Sequence, residues 1–238
     1  MSLNNDRVLV IGGTSGIGLA VGKAAADRGA TVIVVSRRQT SVDRALNELP
    51  AGASGAVVDL ADPAGLSRFA DELGAIDHLV FTAGDSLELA KLADLTPEVI
   101  SGFFTTRLIG ALTAVRVFAP HVSEGGSITM TSGTAAYTPQ FGVLPVSICG
   151  AMNAATTALA FELAPIRVNA VAPGVVRTPL WDSMAPADRD GMFAAAAQTL
   201  PLGRIGEVED VALAYVYCME QKFGTGIVLT VDGGTLLV

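Results

Sequence analysis

Three glycines stand at a spacing that suits the binding of a phosphate group. Gly12, Gly16 and Gly18 follow the apolar run RVLVI, and a helical stretch begins directly behind them. Glycine permits a tight turn and a close approach of backbone N–H groups to a phosphate, and a helix N-terminus adds favourable partial charge. A second strand about twenty residues on strengthens the prediction of a dinucleotide site, whereas a lone glycine pattern would equally fit a simple turn. The pyrophosphate is expected over Thr14, Ser15, Gly16 and Ile17.

The end of the second predicted strand indicates which dinucleotide binds. Ser36, Arg37 and Arg38 stand where an Asp or Glu would accept hydrogen bonds from the ribose 2′-hydroxyl of NAD. Two guanidinium groups with no carboxylate suit a 2′-phosphate instead, because they form charge-assisted hydrogen bonds with it. We therefore expect NADP(H) rather than NAD(H), the alternative being a solvated basic turn.

Short β-branched runs alternate with helical stretches along the chain, as in βαβ units around a parallel sheet. Most runs lack polar alternation, which suits strands covered on both faces. The sequence predicts an α/β fold, a single Rossmann-type domain over residues 1–238 with a doubly wound parallel sheet of about seven strands and helices on both faces. Strands are expected at 7–11, 31–36, 55–59, 77–83, 126–132, 166–172 and 226–232, and a helix at 145–163. The only long irregular region, at about 174–206, is predicted to be a substrate lid.

Composition restricts the classes of partner. The chain has 238 residues, half of them hydrophobic, and 15 basic against 23 acidic residues give a net charge of −8. That charge opposes nucleic acids and anionic membrane surfaces, so we expect neither as a partner. The two cysteines form no disulfide framework or metal-ligand spacing, and the start lacks the pattern of a signal peptide. We expect a cytoplasmic protein without a metal.

Further motifs follow the later strands. They are Asp59 after the third strand, the TAG segment at 82–84 after the fourth, Ser132 after the fifth, and the stretches RVNAVAPGVVRTPL, LPLGRIGEVEDVA and TGIVLTVDGG. Together with the glycine loop, they make the chain resemble the short-chain dehydrogenase/reductase family from about residue 6 to residue 234. The resemblance implies a nicotinamide cofactor, and it implies assembly of the chain with itself as a dimer or tetramer.

The resemblance also implies cofactor roles for matched positions. It places Asp59 and Leu60 near the adenine, Ala83 and Gly84 along the cofactor groove, and Pro173, Gly174, Val176 and Thr178 at the nicotinamide end. All of them follow strands, at the sheet edge where open α/β sheets bind ligands. The alternatives are a helix cap for Asp59, a tight strand exit for Ala83 and Gly84, and an ordinary turn for Pro173 and Gly174.

The family's catalysis relies on an Asn, a Ser, a Tyr and a Lys, with the last two four apart on a helix. Counting from Ser132 and from Glu162 by the family's spacing leads in both cases to Pro145 at the Tyr position. The Lys position is then Cys149, and the three lysines of the chain lie elsewhere. The Asn position holds Arg107. Only Ser132 of the four catalytic groups is retained on this alignment.

Two other side chains are candidates for the missing chemistry. Tyr137 follows Ser132 by five residues, and its hydroxyl is expected at the rim of the same pocket, with Arg107 stabilising an oxyanion. The alternative is an aromatic ring packed under the lid. Cys149 is expected to be a small buried hydrophobe, reactive only if Arg107 lowers its pKa.

Three functions remain open at this point. The first is an NADP(H)-dependent oxidoreductase in which Arg107, Ser132 and Tyr137 act on a small apolar carbonyl or alcohol. The second is an inactive NADP(H)-binding pseudoenzyme that acts as a sensor or oligomer partner, and the third is a non-redox enzyme. A redox enzyme requires space over the nicotinamide beside Ser132 and Trp181, whereas a pseudoenzyme tolerates that space being filled by Trp181, Met184 or Phe141.

Overall fold

Seven strands form one parallel sheet. The computed structural model describes residues 2–85, 87 and 90–238 of the chain. The strands are β1 (Arg7–Ile11), β2 (Thr31–Ser36), β3 (Ser54–Val57), β4 (Ile76–Phe81), β5 (Val122–Thr131), β6 (Arg167–Pro173) and β7 (Val228–Val231), in the order β3-β2-β1-β4-β5-β6-β7. The predicted doubly wound parallel sheet of a Rossmann-type domain is confirmed. The order reverses between β1 and β4, which creates the crevice where such sheets bind ligands.

Helices cover both faces of the sheet because each central strand is apolar on both sides. In β1, Leu9 and Ile11 belong to one buried cluster, and Val8 and Val10 belong to the other. Alternate residues of a strand point to opposite faces, so a continuous apolar run supplies two cores. The helices are α1 (Gly16–Ala26), α2 (Gln39–Leu46), α3 (Pro63–Leu73), α4 (Pro97–Phe104), α5 (Gly110–Phe118), α6 (Val143–Glu162), α7 (Pro186–Thr199) and α8 (Val208–Glu220).

The structure corrects two expectations about element boundaries. The third strand ends at Val57 rather than at residue 59, because β3 pairs only with β2 at the sheet edge and is largely exposed. The segment 174–206 is not irregular throughout, because α7 occupies Pro186–Thr199. Its proline at the first position and its alanine run favour a helix, and these signals were present in the sequence.

Two helical segments are long and apolar enough, by length and composition alone, to cross a membrane: Pro97–His121 and Val143–Glu162. Both belong to the helical layer of the α/β fold. The first contains α4, a π-helical turn at Thr105–Ile109 and α5, and the second is α6, which packs along β6. Their apolar composition therefore includes the face that each helix turns to the core.

His78 lies on β4 and is buried at the end of the sheet opposite the glycine loop. Its Nδ1 lies 2.9 Å from the Ser127 hydroxyl oxygen, and its Nε2 lies 3.4 Å from an Asp6 carboxylate oxygen. Burial lowers the pKa of His78 to about 4, although the negative charge of Asp6 acts in the opposite direction. The imidazole is therefore neutral in the folded protein at pH 7.

We expect the free energy of unfolding to fall as the pH drops from about 6.5 to about 4. The unfolded chain binds a proton at His78 below pH 6.5, whereas the folded chain does so only near pH 4. Folding therefore excludes a proton in this window, and the cost reaches about 3 kcal/mol at its lower end. Urea unfolding between pH 8 and pH 4 measures the slope, with pH values chosen as roughly one-unit steps.

The variant His78→Gln should show a flatter profile over that window. His121→Gln is the matched control, since the His121 side chain is partly exposed and lies 3.7 Å from Asp71. An unchanged slope in His78→Gln would assign the pH dependence to other groups.

Candidate active site

One cavity of about 890 Å³ extends along the carboxyl ends of the strands. It runs from the glycine loop to Ser132 and Trp181. Every residue that the sequence assigned to the cofactor lines it: Gly12, Thr14, Ser15, Gly16, Ile17, Gly18, Ser36, Arg37, Arg38, Asp59, Leu60, Ala83, Gly84, Pro173, Gly174, Val176 and Thr178. The fold thus brings the predicted residues to one surface, and their roles in binding stay predictions.

The glycine loop packs too tightly for side chains. Gly12 has a φ of +85°, and a Cβ there would lie 2.5 Å from the backbone nitrogen of Ala83. A Cβ on Gly18 would lie 2.3 Å from the carbonyl oxygen of Gly12. Helix α1 begins at Gly16 without a side-chain cap from Ser15. Its first-turn N–H groups therefore stay available to an anion in the cavity.

The arginines at the end of β2 differ in their surroundings. Arg37 forms an ion pair with Asp85, with 2.7 Å between Nη2 and Oδ1. Arg38 is exposed and forms no ion pair with any residue among 2–85, 87 and 90–238. The end of β2 itself carries no carboxylate, but the fold brings one to Arg37 from the end of β4.

Asp85 is a cavity residue that the sequence reasoning missed. Its Oδ2 accepts a hydrogen bond of 2.5 Å from the Thr106 hydroxyl, and its backbone carbonyl accepts one from the Arg107 guanidinium. It directly follows Gly84, so its position after a strand was the available signal. Asp59, in contrast, does not cap the next helix: it accepts from the N–H of Ala61, and Asp62 caps α3.

The segment after β6 forms the opposite wall of the cavity. A Cβ on Gly174 would lie 2.8 Å from the Cα of Asp232, so only glycine fits there. The Trp181 indole N–H donates to the Val176 carbonyl at 2.9 Å, and its ring packs edge-on against Phe193. Trp181 is therefore held by its own contacts at the cavity wall.

Arg107 lies in the cavity on the π-helical turn between α4 and α5. Its guanidinium stands 4.4 Å from the centre of the Phe103 ring and donates to the Asp85 carbonyl. Burial lowers the pKa of Arg107, and the negative charge of Asp85 opposes that effect. Arginine nevertheless remains a cation in proteins, so the cavity holds a partly buried positive charge.

Pro145 and Cys149 line the cavity one turn apart on α6. Pro145 lies in the first turn, where a helix does not use the backbone N–H that proline lacks. Burial raises the pKa of the Cys149 thiol to about 11, and the positive charge of Arg107 only partly opposes this. Cys149 is therefore a protonated thiol at pH 7 rather than a nucleophile.

Ser132 hydrogen-bonds to α6 and, through it, connects to Tyr137. Its Oγ lies 2.6 Å from Asn153 Oδ1 and 3.1 Å from the Cys149 carbonyl oxygen, and Asn153 Nδ2 donates to the Tyr137 hydroxyl at 3.2 Å. Tyr137 is 60 % exposed and stands outside the cavity lining. Asn153 was missed by the sequence reasoning. The part of the chain that the structure describes contributes no Tyr, Lys or His to this lining.

The chain is similar to known proteins along nearly its whole length. A family model described as enoyl-(acyl carrier protein) reductase matches residues 12–235. The short-chain dehydrogenase/reductase ucsE of Acremonium sp is 36% identical over 99% of this chain and 97% of its own length. The chain belongs to the short-chain dehydrogenase/reductase family.

Solved structures of short-chain dehydrogenase/reductase proteins share the fold. A small-chain dehydrogenase in complex with NADPH is 33% identical, with a TM-score of 0.85 over 99% of this chain and 100% of the other. The MalC reductase/Diels-Alderase from Malbranchea aurantiaca is 32% identical, with a TM-score of 0.91 over 99% of this chain and 98% of the other. This short-chain dehydrogenase/reductase is accordingly a member of an oxidoreductase family whose seven-stranded sheet it reproduces.

Replacing Gly18 by Ala should disrupt the glycine loop of this short-chain dehydrogenase/reductase. The new Cβ would lie 2.3 Å from a backbone oxygen, so the strand–helix contact must open. We expect a loss of about 1–3 kcal/mol in the free energy of unfolding, as for overpacked cores. Urea unfolding measures it.

Gly22→Ala on the same helix is the control. Its Cβ would meet side chains no closer than 3.4 Å, so we expect stability to be unchanged or slightly raised by helix propensity. Equal stability of the two variants would show that the loop is not tightly packed.

Proposed function

We propose that this short-chain dehydrogenase/reductase binds NADP(H) and transfers a hydride to or from a small carbonyl or alcohol substrate without the family's tyrosine–lysine pair. The observation that carries the proposal is the open cavity of about 890 Å³, which continues past the glycine loop to Ser132, Arg107 and Trp181. A nucleotide sensor would tolerate side chains filling the substrate end. Trp181 is held against Phe193 instead, which leaves space beside Ser132.

The glycine loop supports the cofactor part of the proposal. Gly12 and Gly18 lie where a Cβ would collide with backbone, and the first-turn N–H groups of α1 stand beside them. This is the arrangement that binds a pyrophosphate in dinucleotide folds. The similar dehydrogenase in complex with NADPH adds independent support. Bound NADP(H) would supply the hydride, which the side chains of this chain cannot provide.

The two arginines after β2 support NADP(H) over NAD(H). Arg38 is exposed at the cavity and can pair with a 2′-phosphate directly. Arg37 must exchange its Asp85 partner for the phosphate, and both groups of that pair are substantially exposed. Exposed ion pairs contribute little, about 1 kcal/mol or less, so a doubly charged phosphate outcompetes the single carboxylate.

Arg107 supports the chemical part of the proposal. Its N–H groups can bind a substrate oxygen and stabilise the negative charge that develops there during reduction, and low solvent access strengthens that effect. Because Cys149 is a neutral thiol and no Tyr, Lys or His of the described residues lines the cavity, the proton reaches the oxygen from water. Arg107 therefore polarises the substrate, Ser132 helps to position it, and Tyr137 acts only through Asn153.

The cavity wall supports a small apolar substrate. Phe103, Phe141, Ile148, Leu180 and Trp181 line the end near Ser132. We further infer that the segment 174–206 covers this end as a lid. Assembly as a dimer or tetramer is part of the proposal too, because large apolar side chains at the C-terminus, Leu237 and Val238, are 82% and 78% exposed in the single chain.

Replacing Arg38 by Gln should weaken the binding of NADPH about tenfold or more and change that of NADH little. A charge-assisted hydrogen bond contributes about 1.5–3 kcal/mol, and only NADPH carries the 2′-phosphate that receives it. Isothermal titration calorimetry with both nucleotides gives the two affinities. Arg37→Gln should act in the same direction, with a smaller loss because Arg37 already has a carboxylate partner.

Arg68→Gln is the control, since Arg68 is exposed on α3 and faces Asp62 rather than the cavity. An equal loss of affinity for NADPH and NADH in Arg38→Gln would contradict the assignment of Arg38 to the 2′-phosphate.

Replacing Arg107 by Gln should lower kcat for carbonyl reduction about 100-fold, as the loss of an oxyanion donor does elsewhere, while NADPH binding stays within a few-fold. A screen of small ketones and aldehydes with NADPH, followed at the nicotinamide absorbance, identifies the substrate for this test. Arg116→Gln, which alters an exposed arginine of α5, is the control.

Two outcomes would redirect the interpretation. Nucleotide binding without turnover of any carbonyl or alcohol would identify the protein as an NADP(H)-binding pseudoenzyme. Full activity of Arg107→Gln would show that another group stabilises the charge.

A further inference from the structure

Three polar side chains form a short network whose effect on the substrate the proposed function leaves open. Ser132, Asn153 and Tyr137 are joined by hydrogen bonds of 2.6 Å and 3.2 Å, from the cavity wall to the exposed surface. Asn153 lies on α6 one turn beyond Cys149 and two turns beyond Pro145, which line the cavity. The network therefore connects the back of the site to solvent.

The position of one proton decides what this network does. A serine hydroxyl has a single proton and two lone pairs. Two oxygen acceptors on α6 lie within reach of the Ser132 hydroxyl: Asn153 Oδ1 at 2.6 Å and the Cys149 carbonyl oxygen at 3.1 Å. The Cys149 side chain also hydrogen-bonds Ser132, but a thiol sulfur is only a weak acceptor. Asn153 is not among the cavity-lining residues and the Cys149 carbonyl belongs to the helix backbone, so a proton in either bond is directed at α6 rather than at a substrate.

Reversing the Asn153 amide does not change this result. Its oxygen and nitrogen are close in shape, so the amide can be placed with either atom toward Ser132. In the reversed orientation the amide N–H would donate to the Ser132 oxygen, and the oxygen would accept from the Tyr137 hydroxyl. The Ser132 proton would then go to the Cys149 carbonyl, which is also on the helix side.

We propose that Asn153 is a positioning residue that makes Ser132 a hydrogen-bond acceptor toward the cavity, so that the substrate group beside Ser132 carries a hydrogen, as an alcohol or amine does. This inference rests on the proposed function and names the polar chemistry of its substrate. Arg107 can only donate, so Arg107 and Ser132 together offer the substrate one donor and one acceptor. A substrate that fits both has an oxygen for Arg107 and an O–H or N–H group for Ser132.

The inference predicts a preference between otherwise similar ligands. A ketone oxygen beside Ser132 faces a lone pair, so one of the two groups must lose its partner or the Ser132 proton must leave the helix. Leaving a buried polar group unpaired costs about 1–3 kcal/mol, which corresponds to roughly 5- to 150-fold weaker binding. An alcohol of the same size donates to Ser132 without that cost.

Paired titrations test this preference. 4-Hydroxycyclohexanone and cyclohexane-1,4-dione each carry a carbonyl oxygen for Arg107 and differ only in the second group, which meets Ser132; they are titrated into the protein saturated with the hydride-inactive tetrahydronicotinamide analogue of NADPH. We expect the hydroxyketone to bind about tenfold more tightly than the dione. Equal binding, or tighter binding of the dione, would overturn the inference.

Variants separate the positioning role from a general structural one. Asn153→Asp keeps an acceptor for the Ser132 proton and should keep the preference for the hydroxyketone, whereas Asn153→Leu removes it and should reduce the preference. Ser132→Ala should abolish it. Thr157→Val is the matched control, because the Thr157 hydroxyl donates to the backbone carbonyl of Asn153, at 3.4 Å, and not to its side chain. Loss of the preference in Thr157→Val, or its retention in Asn153→Leu, would contradict the role of Asn153.

A second measurement decides the point even if neither ligand binds. Neutron diffraction from crystals exchanged into D₂O locates the Ser132 deuteron directly. We expect it on the line to Asn153 or to the Cys149 carbonyl, and a deuteron directed into the cavity would overturn the inference. Failure of the NADPH analogue to bind would instead contradict the proposed function, and the neutron result would still stand on its own.

Discussion

The contact between the end of β1 and the first turn of α1 determines where everything else in the site stands. Gly18 lies so close to Gly12 that a Cβ would come within 2.3 Å of the Gly12 carbonyl oxygen, and Gly12 in turn contacts the backbone at Ala83. Segments that leave β1, α1 and β4 therefore meet without side chains between them. Because the sheet order reverses between β1 and β4, this contact lies at the crevice, and the N–H groups of α1 point into it.

Asp85 connects the two ends of that crevice. Asp85 follows β4, and Arg37 follows β2. Both strands are neighbours of β1, so the ion pair between Asp85 and Arg37 crosses over the end of β1. The same residue accepts the Thr106 hydroxyl through its side chain and the Arg107 guanidinium through its backbone. A phosphate that binds Arg37 would thus free one carboxylate oxygen of Asp85, whose backbone carbonyl also accepts a hydrogen bond from Arg107. The adenosine end and the substrate end of the proposed site share this residue.

Local signals in the sequence predicted the parts of the fold that depend on neighbouring residues. The glycine spacing, the apolar strands and the residues directly after them are such signals, and the seven-stranded parallel sheet followed from them. Asp85 and Asn153 were missed because their importance arises from partners far away in the chain, Arg37 and Ser132. Tyr137 was expected at the pocket rim from its distance to Ser132 alone. The short turn at Thr134–Tyr137 leaves its side chain exposed, in contact with the amide of Asn153.

In the proposed alignment, this chain lacks the family's tyrosine and lysine, which removes the proton source of the site but not its positive charge. In the family's arrangement a lysine ammonium supports a neutral tyrosine, which gives one positive charge beside the substrate. On the alignment proposed here, Pro145 and the neutral thiol of Cys149 carry no charge, and Arg107 supplies a cation near Cys149 in the same cavity. A developing oxyanion therefore meets the same net charge, but a guanidinium holds its protons too firmly to give one up. In the proposed function, stabilisation and proton delivery, which the family combines, are separated, and the second falls to water.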